Sequence, residues 1–161
     1  MSRAIIAFGA NLGDREQTIA SAARALADAV GVRLTAVSPV YESVAIKVDG
    51  ADPDAPGYLN GVLAVETVLE PLALLDLLLD LEAAHGRVRT EHWGDRTLDL
   101  DLIDYDGRVV ADERLVLPHP RAHERAFVLQ PWLDLEPAAE LAGFGPIAAL
   151  RAKAADEVTR R

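Results

Sequence analysis

Three leucines and two aspartates alternate in a short segment past the middle of the chain, in the order Leu98, Asp99, Leu100, Asp101, Leu102. Strict alternation predicts a β-strand whose leucines face a hydrophobic core while the aspartates face the other way. Aspartate is disfavoured in strands, so two of them on one short strand go against local propensity. Such exceptions are typical of functional sites, and the segment therefore predicts a half-buried strand with a site on its polar face.

The two aspartates are close enough to share cations. At the usual strand rise their α-carbons lie about 6.7 Å apart, and two unit charges at that distance repel by about 2.5 kcal/mol at an effective dielectric constant near 20. Just upstream, Arg96 and Trp93 add a phosphate-binding guanidinium and a stacking surface. Magnesium typically takes one or two carboxylates and completes its shell with water and substrate phosphate oxygens. The segment predicts a magnesium-phosphate site, although Asp-x-Asp by itself fits a solvated strand face equally well.

The composition restricts the class of protein. The chain has 161 residues, half of them hydrophobic, and is predicted to fold as one globular domain over residues 1–161. It has no cysteine, which excludes disulfides and thiolate metal sites. The first residues enter a strand pattern directly, without the features of a signal peptide or a membrane span. We therefore expect a cytoplasmic protein.

The charge distribution points to a small anionic ligand. The net charge of −10 argues against nucleic acid or an anionic membrane as the main partner, because both need a broad basic surface. All four histidines nevertheless lie in residues 85–125. The same segment holds a set of arginines: Arg87, Arg89, Arg96, Arg108, Arg114, Arg121 and Arg125. An acidic protein with this local concentration of cationic groups is predicted to bind a compact polyanion there.

The N-terminal half predicts strands and helices in alternation. An apolar run over residues 3–8 is followed by turn residues 9–14 and by a helix over about 15–30, with Asp14 as its N-cap. The predicted buried stripe of this helix is Ile19, Ala23, Leu26 and Val30.

Two further strands and a second helix follow. Residues 32–43 and 58–69 have strand patterns, while residues 44–57 are rich in Asp, Gly and Pro and longer than a usual connection. Pro71 and Gly86 bracket a leucine-rich helix that we expect to pack on the sheet. Its side chains include Leu72, Leu75, Leu78, Leu79 and Glu82.

The C-terminal half extends this pattern. Residues 105–108, Tyr-Asp-Gly-Arg, predict a two-residue hairpin turn that returns the chain antiparallel, and residues 115–117 are predicted to continue that sheet. A loop with a short helix is expected over 118–127, turns and short helix over 128–145, and a helix over 146–159. The element order predicts an α+β fold, a ferredoxin-like antiparallel sheet with packed helices and appended C-terminal strands and helices. The fold alone specifies no chemistry.

Five segments together resemble the 6-hydroxymethyl-7,8-dihydropterin pyrophosphokinase family of folate biosynthesis, and the resemblance runs from residue 5 to about residue 133. The Arg-Thr-Leu-Asp-x-Asp part is the family's specific signature, whereas the first two segments would be weak alone. The segments are Phe-Gly-Ala-Asn-Leu-Gly-Asp at 8–14, Tyr-Leu-Asn at 58–60, Gly-Arg-Val-Arg at 86–89, Trp-Gly-Asp-Arg-Thr-Leu-Asp-Leu-Asp at 93–101 and Leu-Pro-His-Pro-Arg-Ala-His-Glu-Arg-Ala-Phe at 117–127.

The resemblance implies transfer of the β,γ-pyrophosphoryl group of ATP to the pterin hydroxymethyl group, with release of AMP. It implies that Asp99 and Asp101 hold two magnesium ions that bridge the triphosphate, and that Arg96 acts with them as a catalytic residue. Transfer of this kind needs positioning and charge neutralisation rather than a side-chain nucleophile. The residues implied in ATP binding are Glu82, Arg89, Trp93, Arg96, His119 and Arg125.

The resemblance also implies a pterin site. The pterin would stack between Tyr58 and Phe127, the amide of Asn60 would read its edge, and the segment from Ser43 to Ile46 would lend backbone groups. Two aromatic faces and one amide suit a flat heterocycle with alternating donors and acceptors.

We expect small-molecule partners only and a monomer. The two long polar segments 44–57 and 83–95 are expected to close over the substrates.

Three positions depart from the family pattern: His92 stands where a second arginine is frequent, Asp95 where proline is frequent, and Val44 where proline often begins the pterin loop. These departures bear on loop geometry and affinity.

Three other functions stay open: another magnesium-dependent phosphoryl or nucleotidyl transferase, a ligand-binding regulatory module, and an RNA-binding sheet. The nucleotide product, AMP or ADP, separates the first from pyrophosphoryl transfer. A regulatory module would bind without turnover, and an RNA-binding sheet would need a basic face that the charge argues against.

Overall fold

The computed structural model describes residues 1–11, 13–43, 46–47, 50–51, 57–85 and 98–161, with only the backbone described at 46–47 and 50–51. Its α-helices are α1 (Arg15–Asp28), α2 (Pro71–Ala84), α3 (Ala126–Leu135) and α4 (Ile147–Lys153). None of the helices in these ranges is long and apolar enough to cross a membrane. The strands are β1 (Ser2–Ala10), β2 (Val32–Val37), β3 (Tyr41–Ser43), β4 (Ile46–Lys47), β5 (Gly50–Ala51), β6 (Tyr58–Thr67), β7 (Asp99–Tyr105), β8 (Val110–Ala111), β9 (Val116–Leu117), β10 (Glu140–Leu141), β11 (Gly145–Pro146) and β12 (Thr159–Arg160).

Six strands form one antiparallel sheet. The order is β12-β3-β6-β1-β7, and β2 also pairs with β6. The long central strands set the register: β1 pairs with β6 through Gly9↔Asn60 and with β7 through Gly9↔Asp99. The remaining strands form three short pairs, β4 with β5, β8 with β9, and β10 with β11. The prediction of an antiparallel sheet with packed helices is confirmed.

Helices cover both faces of the sheet. In β1, Ile6 and Phe8 join a core cluster that contains the buried side chains of α1 and α2. Ile5 and Ala7, which alternate with them, join a second cluster with α3 and α4. The strand therefore alternates between two hydrophobic cores rather than between core and solvent, which explains its nearly continuous apolar sequence.

The first helix begins as predicted but ends early. Asp14 is its N-cap, and Asp14 Oδ1 accepts a hydrogen bond from the backbone N–H of Gln17 at 3.1 Å. Ile19 and Leu26 are buried, as expected. The prediction that Val30 completes the buried stripe is wrong, because α1 ends two residues earlier and Val30 is 94% exposed.

The predicted second strand, 32–43, is two strands separated by residues 38–40. Ser38 marks the interruption: its hydroxyl accepts from the N–H of Val62 at 2.8 Å and donates to the carbonyl of Pro39 at 2.8 Å. Pro39 lies in this interruption and has no N–H to donate to a ladder. Both pieces pair with β6, so the interruption does not remove the chain from the sheet.

The hairpin turn after β7 forms, but the chain that follows does not join the main sheet. Arg108 donates its N–H to the carbonyl of Tyr105 at 2.9 Å, and Asp106 and Gly107 have positive φ angles of 53° and 68°. The prediction that residues 115–117 continue the sheet is wrong, since β9 pairs with β8. A second tight turn at 112–115 closes this separate hairpin through two backbone hydrogen bonds.

The two C-terminal helices differ from prediction in length. The helix and turns expected over 128–145 are present, but the helix is longer and starts earlier, since α3 runs from Ala126 through Pro131 to Leu135 and the turns follow it. It buries Trp132 beneath the sheet, which offsets the backbone hydrogen bond lost at Pro131. The helix predicted over 146–159 stops at Lys153. Ala154 is extended, and β12 instead joins the sheet beside β3.

Candidate active site

The Asp-x-Asp segment has the predicted strand geometry. Leu98, Leu100 and Leu102 are buried in the cluster shared with α1 and α2, while Asp99 and Asp101 lie partly exposed on the opposite face. Only part of this face is exposed to solvent. Residue 103, the next residue whose side chain lies on the same face, is buried in the second cluster, with α3 and α4. The two carboxylates therefore lie at one end of a strand whose remainder is covered on both sides.

Gly9 connects the aspartate pair to the predicted pterin residues. It lies in β1 with Asp99 opposite it on β7 and Asn60 opposite it on β6, so these two α-carbons are separated by two strand spacings, about 10 Å. A Cβ at Gly9 would lie 3.4 Å from Asn60 Oδ1 and 3.8 Å from Tyr58 Cδ1. The missing side chain leaves space on the face that the four residues share.

The sequence predicts that Gly9 lies in a turn, and this prediction is wrong. The strand β1 continues through Gly9 to Ala10. The usable signal was the position of a glycine at the end of a strongly apolar strand, which is typical of a place where a ligand or another backbone approaches closely.

A buried carboxylate supports the backbone between the two aspartates. Glu82, on α2, is only 3% exposed, and its Oε2 accepts a hydrogen bond from the backbone N–H of Leu100 at 2.8 Å. Leu100 lies between Asp99 and Asp101, so this bond ties α2 to β7 where the site carboxylates project. Glu82 was implied as an ATP-site residue, and the geometry gives it contact with the site strand.

His119 lies close to the aspartate pair. Its backbone N–H donates to the carbonyl of Ile103 at 3.0 Å, and its ring Nδ1 accepts from the N–H of Arg121 at 3.2 Å. Burial lowers the pKa of the His119 ring; the positive charges of Arg125 and Arg121 act in the same direction, while Asp101 opposes them. The ring is therefore favoured in its neutral form, with Nδ1 as acceptor and Nε2–H as donor. A neutral donor beside two carboxylates suits a phosphate oxygen.

A cavity of about 260 Å³ opens beside Asp101 and His119. Hydrophobic side chains form much of its wall, and the guanidinium of Arg114, held by a hydrogen bond and ion pair with Asp76, lies at its edge. Its lining is Leu75, Leu100, Asp101, Leu102, Glu113, Arg114, Leu115, Val116, His119 and Pro120. The sequence did not identify residues 113–116 as site residues, because the β8–β9 hairpin brings them to the cavity only in the folded chain.

The predicted pterin residues Asn60 and Ser43 contact each other. Asn60 Nδ2 donates to Ser43 Oγ at 2.7 Å and to the carbonyl of Tyr58 at 3.3 Å. The pairing of β3 with β6 places Ser43 directly opposite Tyr58. The amide nitrogen of Asn60 is thus directed toward β3, while its oxygen lies on the side of Gly9.

Phe127 lies in the first turn of α3, and the guanidinium carbon of Arg125 is 5.4 Å from its ring centroid. This distance is within the range of a cation–π contact. The loop over 118–125, with a short 3₁₀ turn at Ala122–Glu124, connects β9 to α3 and carries His119 and Arg125 to this part of the molecule.

The remaining predicted site residues lie wholly or partly outside the described ranges. Arg89, Trp93 and Arg96 fall in the undescribed stretch 86–97, and Ile46 is described only by its backbone in β4. The prediction that segments 44–57 and 83–95 close over substrates also falls mostly outside the described residues.

The donor set at β7 fits magnesium held together with a phosphate substrate. Among the described side chains, no group of three or more His, Asp or Glu residues is close enough to form a metal site alone. Two carboxylates on one partly exposed strand face supply the small number of protein ligands that magnesium takes when water and phosphate oxygens complete its shell. The described geometry thus favours a metal bound with its substrate over a closed protein cage.

Comparison with known proteins identifies related sequences over most of the chain. The family model described as 7,8-dihydro-6-hydroxymethylpterin-pyrophosphokinase (HPPK) matches residues 5–137. A 2-amino-4-hydroxy-6-hydroxymethyldihydropteridine pyrophosphokinase of Methylorubrum extorquens is 42% identical over 137 residues, which cover 85% of this chain and 84% of the relative. The enzyme of the same name from Pseudomonas aeruginosa is 42% identical over 138 residues, covering 85% of this chain and 82% of the relative.

Solved structures match at the level of the fold. The wild-type Plasmodium falciparum HPPK-DHPS structure with pteroate superposes with a TM-score of 0.72 at 14% sequence identity, covering 94% of this chain and 42% of that one. The present chain thus spans less than half the length of this solved protein. At such low identity the superposition demonstrates the shared fold alone.

Proposed function

Because the chain belongs to the 7,8-dihydro-6-hydroxymethylpterin-pyrophosphokinase family, we propose that it transfers the β,γ-pyrophosphoryl group of ATP to 6-hydroxymethyl-7,8-dihydropterin, a reaction of folate biosynthesis. The hydroxymethyl oxygen attacks the β-phosphorus, and the bond from that phosphorus to the oxygen bridging the α- and β-phosphates breaks. AMP leaves with the electron pair of that bond, and the hydroxyl proton passes to water.

The observation that carries the proposal is the placement of Asp99 and Asn60 on either side of Gly9. An acceptor bound at Asn60 and a triphosphate bound at the aspartates would meet over a glycine, where no side chain separates them. Holding two substrates in reacting geometry is the main contribution that a phosphoryl-transfer enzyme makes.

The metal and phosphate side of the site consists of Asp99 and Asp101, with His119 and Arg125 next to them. Two magnesium ions held by these carboxylates would neutralise charge on the triphosphate oxygens. The neutral ring of His119 donates Nε2–H, and the guanidinium of Arg125 adds a fixed positive charge. Arg96, Arg89 and Trp93 complete this side in the proposal, with Arg96 acting together with the aspartates.

The cavity beside Asp101 suits the adenine of ATP. Its leucine-rich walls provide hydrophobic contacts for a flat base, and because Asp101 and His119 also line it, the attached phosphates would lie near the metal carboxylates. Glu82 contributes by fixing the β7 backbone at Leu100, one of the residues that line this cavity.

The pterin side consists of Tyr58, Asn60, Phe127 and the segment from Ser43 to Ile46. Tyr58 and Phe127 would stack on the two faces of the ring, and Asn60 would read its edge. The bond from Asn60 to Ser43 fixes the amide orientation before a ligand arrives, which reduces the ordering cost of binding.

The proposal also covers the ferredoxin-like arrangement of the sheet, the single domain, the cytoplasmic location and the oligomeric state. The sheet order β7-β1-β6-β2 supports a ferredoxin-like arrangement, to which α3, α4 and the short strands would be appended. The chain is proposed to be a single pyrophosphokinase domain over residues 1–161, acting as a cytoplasmic monomer on two small molecules. Sedimentation or light scattering would test the monomer.

The decisive experiment incubates the purified protein with ATP, magnesium and the hydroxymethyl dihydropterin, and separates the nucleotides. AMP should form in step with pterin consumption and should be absent without magnesium or without the pterin. Formation of ADP instead of AMP would replace pyrophosphoryl transfer by a simple kinase reaction. Pterin binding without any nucleotide product would indicate a ligand-binding module.

A further inference from the structure

The last eight residues, 154–161, form a tail that leaves α4 and crosses two elements of the predicted pterin site. The tail lies beyond residues 5–137, the part of the chain that the family model matches. It makes contacts at both ends: one with the start of α3, which carries Phe127, and one with β3, which ends in Ser43. The family match therefore does not account for the placement of this tail beside the proposed site.

At one end, Asp156 caps α3. Its Oδ1 accepts from the N–H of Ala126 at 2.8 Å, and its Oδ2 accepts from the N–H of Phe127 at 3.3 Å. The residue at the N-cap position itself, Arg125, makes no side-chain capping hydrogen bond. The first backbone N–H groups of a helix need acceptors and favour a negative charge. Asp156, thirty residues away in sequence, provides both.

At the other end, the tail extends the main sheet next to β3. Thr159 pairs with Glu42, and Arg160 pairs with Tyr41. Arg161 then donates from its guanidinium to Glu42 at 2.9 Å and to Glu16 at 2.8 Å. The strand held in this way continues directly to residue 43, whose hydroxyl accepts the hydrogen bond from the Asn60 amide.

A separate contact between α3 and β3 supports the same arrangement. The hydroxyl of Tyr41 donates a short hydrogen bond to the carboxylate of Asp134 on α3. Asp134 lies seven residues beyond Phe127, so this bond fixes the far part of α3, whereas the Asp156 cap acts on its first turn. The orientation of the Phe127 ring depends on that first turn.

We propose that Asp156 is a positioning residue for pterin binding, which holds the first turn of α3 so that Phe127 faces the Ser43–Asn60 pair. The inference rests on the proposed function, because that function makes Phe127 a pterin-stacking residue. Without the cap, the first turn frays and Phe127 occupies its binding position for only a fraction of the time. The apparent pterin affinity then falls by that fraction. ATP binding changes less, because most of its proposed contacts lie on β7 and at His119, outside the first turn of α3.

The test compares Asp156→Ala with Glu157→Ala, which removes the neighbouring, exposed carboxylate. Pterin binding is measured with magnesium and a non-transferable ATP analogue, and turnover is measured with both substrates. Asp156→Ala should weaken pterin binding about fivefold to tenfold, the scale of one lost capping interaction. The KM for ATP and kcat at saturating pterin should stay within about twofold of wild type, as should every constant of Glu157→Ala. A purely structural loss would instead lower kcat without a selective change for the pterin.

Two further variants sharpen the comparison. Asp156→Asn keeps one acceptor oxygen and should give an intermediate loss of pterin affinity. Arg161→Ala removes exposed ion pairs at the other end of the tail and should have less than about a twofold effect, because such pairs contribute little. Amide exchange at Ala126 and Phe127 should be faster in Asp156→Ala than in wild type, independently of any activity.

The outcomes separate the two proposals. Wild-type pterin binding without AMP formation would overturn the proposed reaction and leave the positioning role to be decided by the binding constants. Normal AMP formation by wild type with equal pterin binding by Asp156→Ala and Glu157→Ala would overturn the positioning role alone. Absence of pterin binding by the wild-type protein would overturn both.

Discussion

Glu82 Oε2 accepts a hydrogen bond from the backbone N–H of Leu100 at 2.8 Å, in the buried layer between α2 and the strand that carries the two aspartates. In Glu82→Ala this N–H loses its acceptor, which costs about 1–3 kcal/mol for a buried donor. We expect a lower melting temperature and a lower kcat, since β7 loses its support between Asp99 and Asp101. Glu82→Gln retains an acceptor oxygen and should lie between wild type and Glu82→Ala. Equal losses in both variants would mean that the charge of Glu82, rather than this hydrogen bond, is what matters.

Asp99→Asn or Asp101→Asn should lower magnesium-dependent AMP release by about 100-fold or more, the scale of losing one group that stabilises developing charge. The side-chain shape is kept, and relief of repulsion between the two carboxylates should leave stability unchanged or slightly increased. Circular dichroism melts and AMP assays measure the two effects. Asp28→Asn, at the exposed C-terminal end of α1, is the matched control. Near-normal AMP release by either site variant would overturn the proposed role of the pair.

Phe127→Leu should weaken pterin binding about tenfold, because the aromatic face is lost while much of the hydrophobic volume is kept. ATP binding should change little, since the metal and phosphate side lies on β7 and the 118–125 loop. Titration calorimetry with each ligand measures both. Val30→Ala, which shortens a hydrophobic side chain that is 94% exposed, is the control. Parallel losses for ATP and pterin would contradict the division of the site.

Gly9→Leu should block the site without unfolding the protein. A Cβ at Gly9 is in ordinary contact distance of Asn60 and Tyr58, so Gly9→Ala is tolerated in the fold, whereas a leucine side chain fills the space between Asn60 and Asp99. We expect near-wild-type melting temperatures for both and loss of turnover for Gly9→Leu. By contrast, a Cβ at Gly61 would lie 2.2 Å from Phe8 Cζ, so Gly61→Ala should be strongly destabilising. Full activity of Gly9→Leu would show that substrates do not meet over this residue.

Asp104 and Asp106 should respond to pH in opposite directions. Burial raises the pKa of Asp104, although the N–H of Gly107 acts against this, whereas the N–H of Arg3 lowers the pKa of Asp106. A raised folded-state pKa means that ionised Asp104 lowers stability above that pKa, and that this penalty fades as the pH falls through it. Ionised Asp106 adds stability that is lost as the pH falls through its lowered folded pKa.

Melting temperatures between about pH 2 and pH 7 test this pair. Relative to wild type, Asp104→Asn should gain stability as the pH rises, and Asp106→Asn should lose it. Both residues lie at the end of β7 away from Asp99, so turnover at neutral pH should be preserved in both. Parallel pH profiles of the two variants would show that their environments do not differ in this way.

Features that depend on local periodicity could be predicted from the sequence alone. The alternation around Asp99 and Asp101 specified which side chains share a face, because a strand has a period of two residues. Asp14 was recognisable as an N-cap because capping acts over three residues. The family relationship was also readable in this way, since its motifs are short and lie in order along the chain.

How these segments meet depends on long-range contacts in the folded chain. The pairing of Gly9 with both Asn60 and Asp99, the bond from Glu82 to Leu100 and the cap of Asp156 on α3 join residues far apart in sequence. The same long-range contacts explain the errors: β8 and β9 form their own hairpin, and the C-terminal helix stops early because the tail joins β3. Local propensity sets the period of an element, but register, element ends and the site between elements depend on packing and hydrogen bonds that form only in the folded chain.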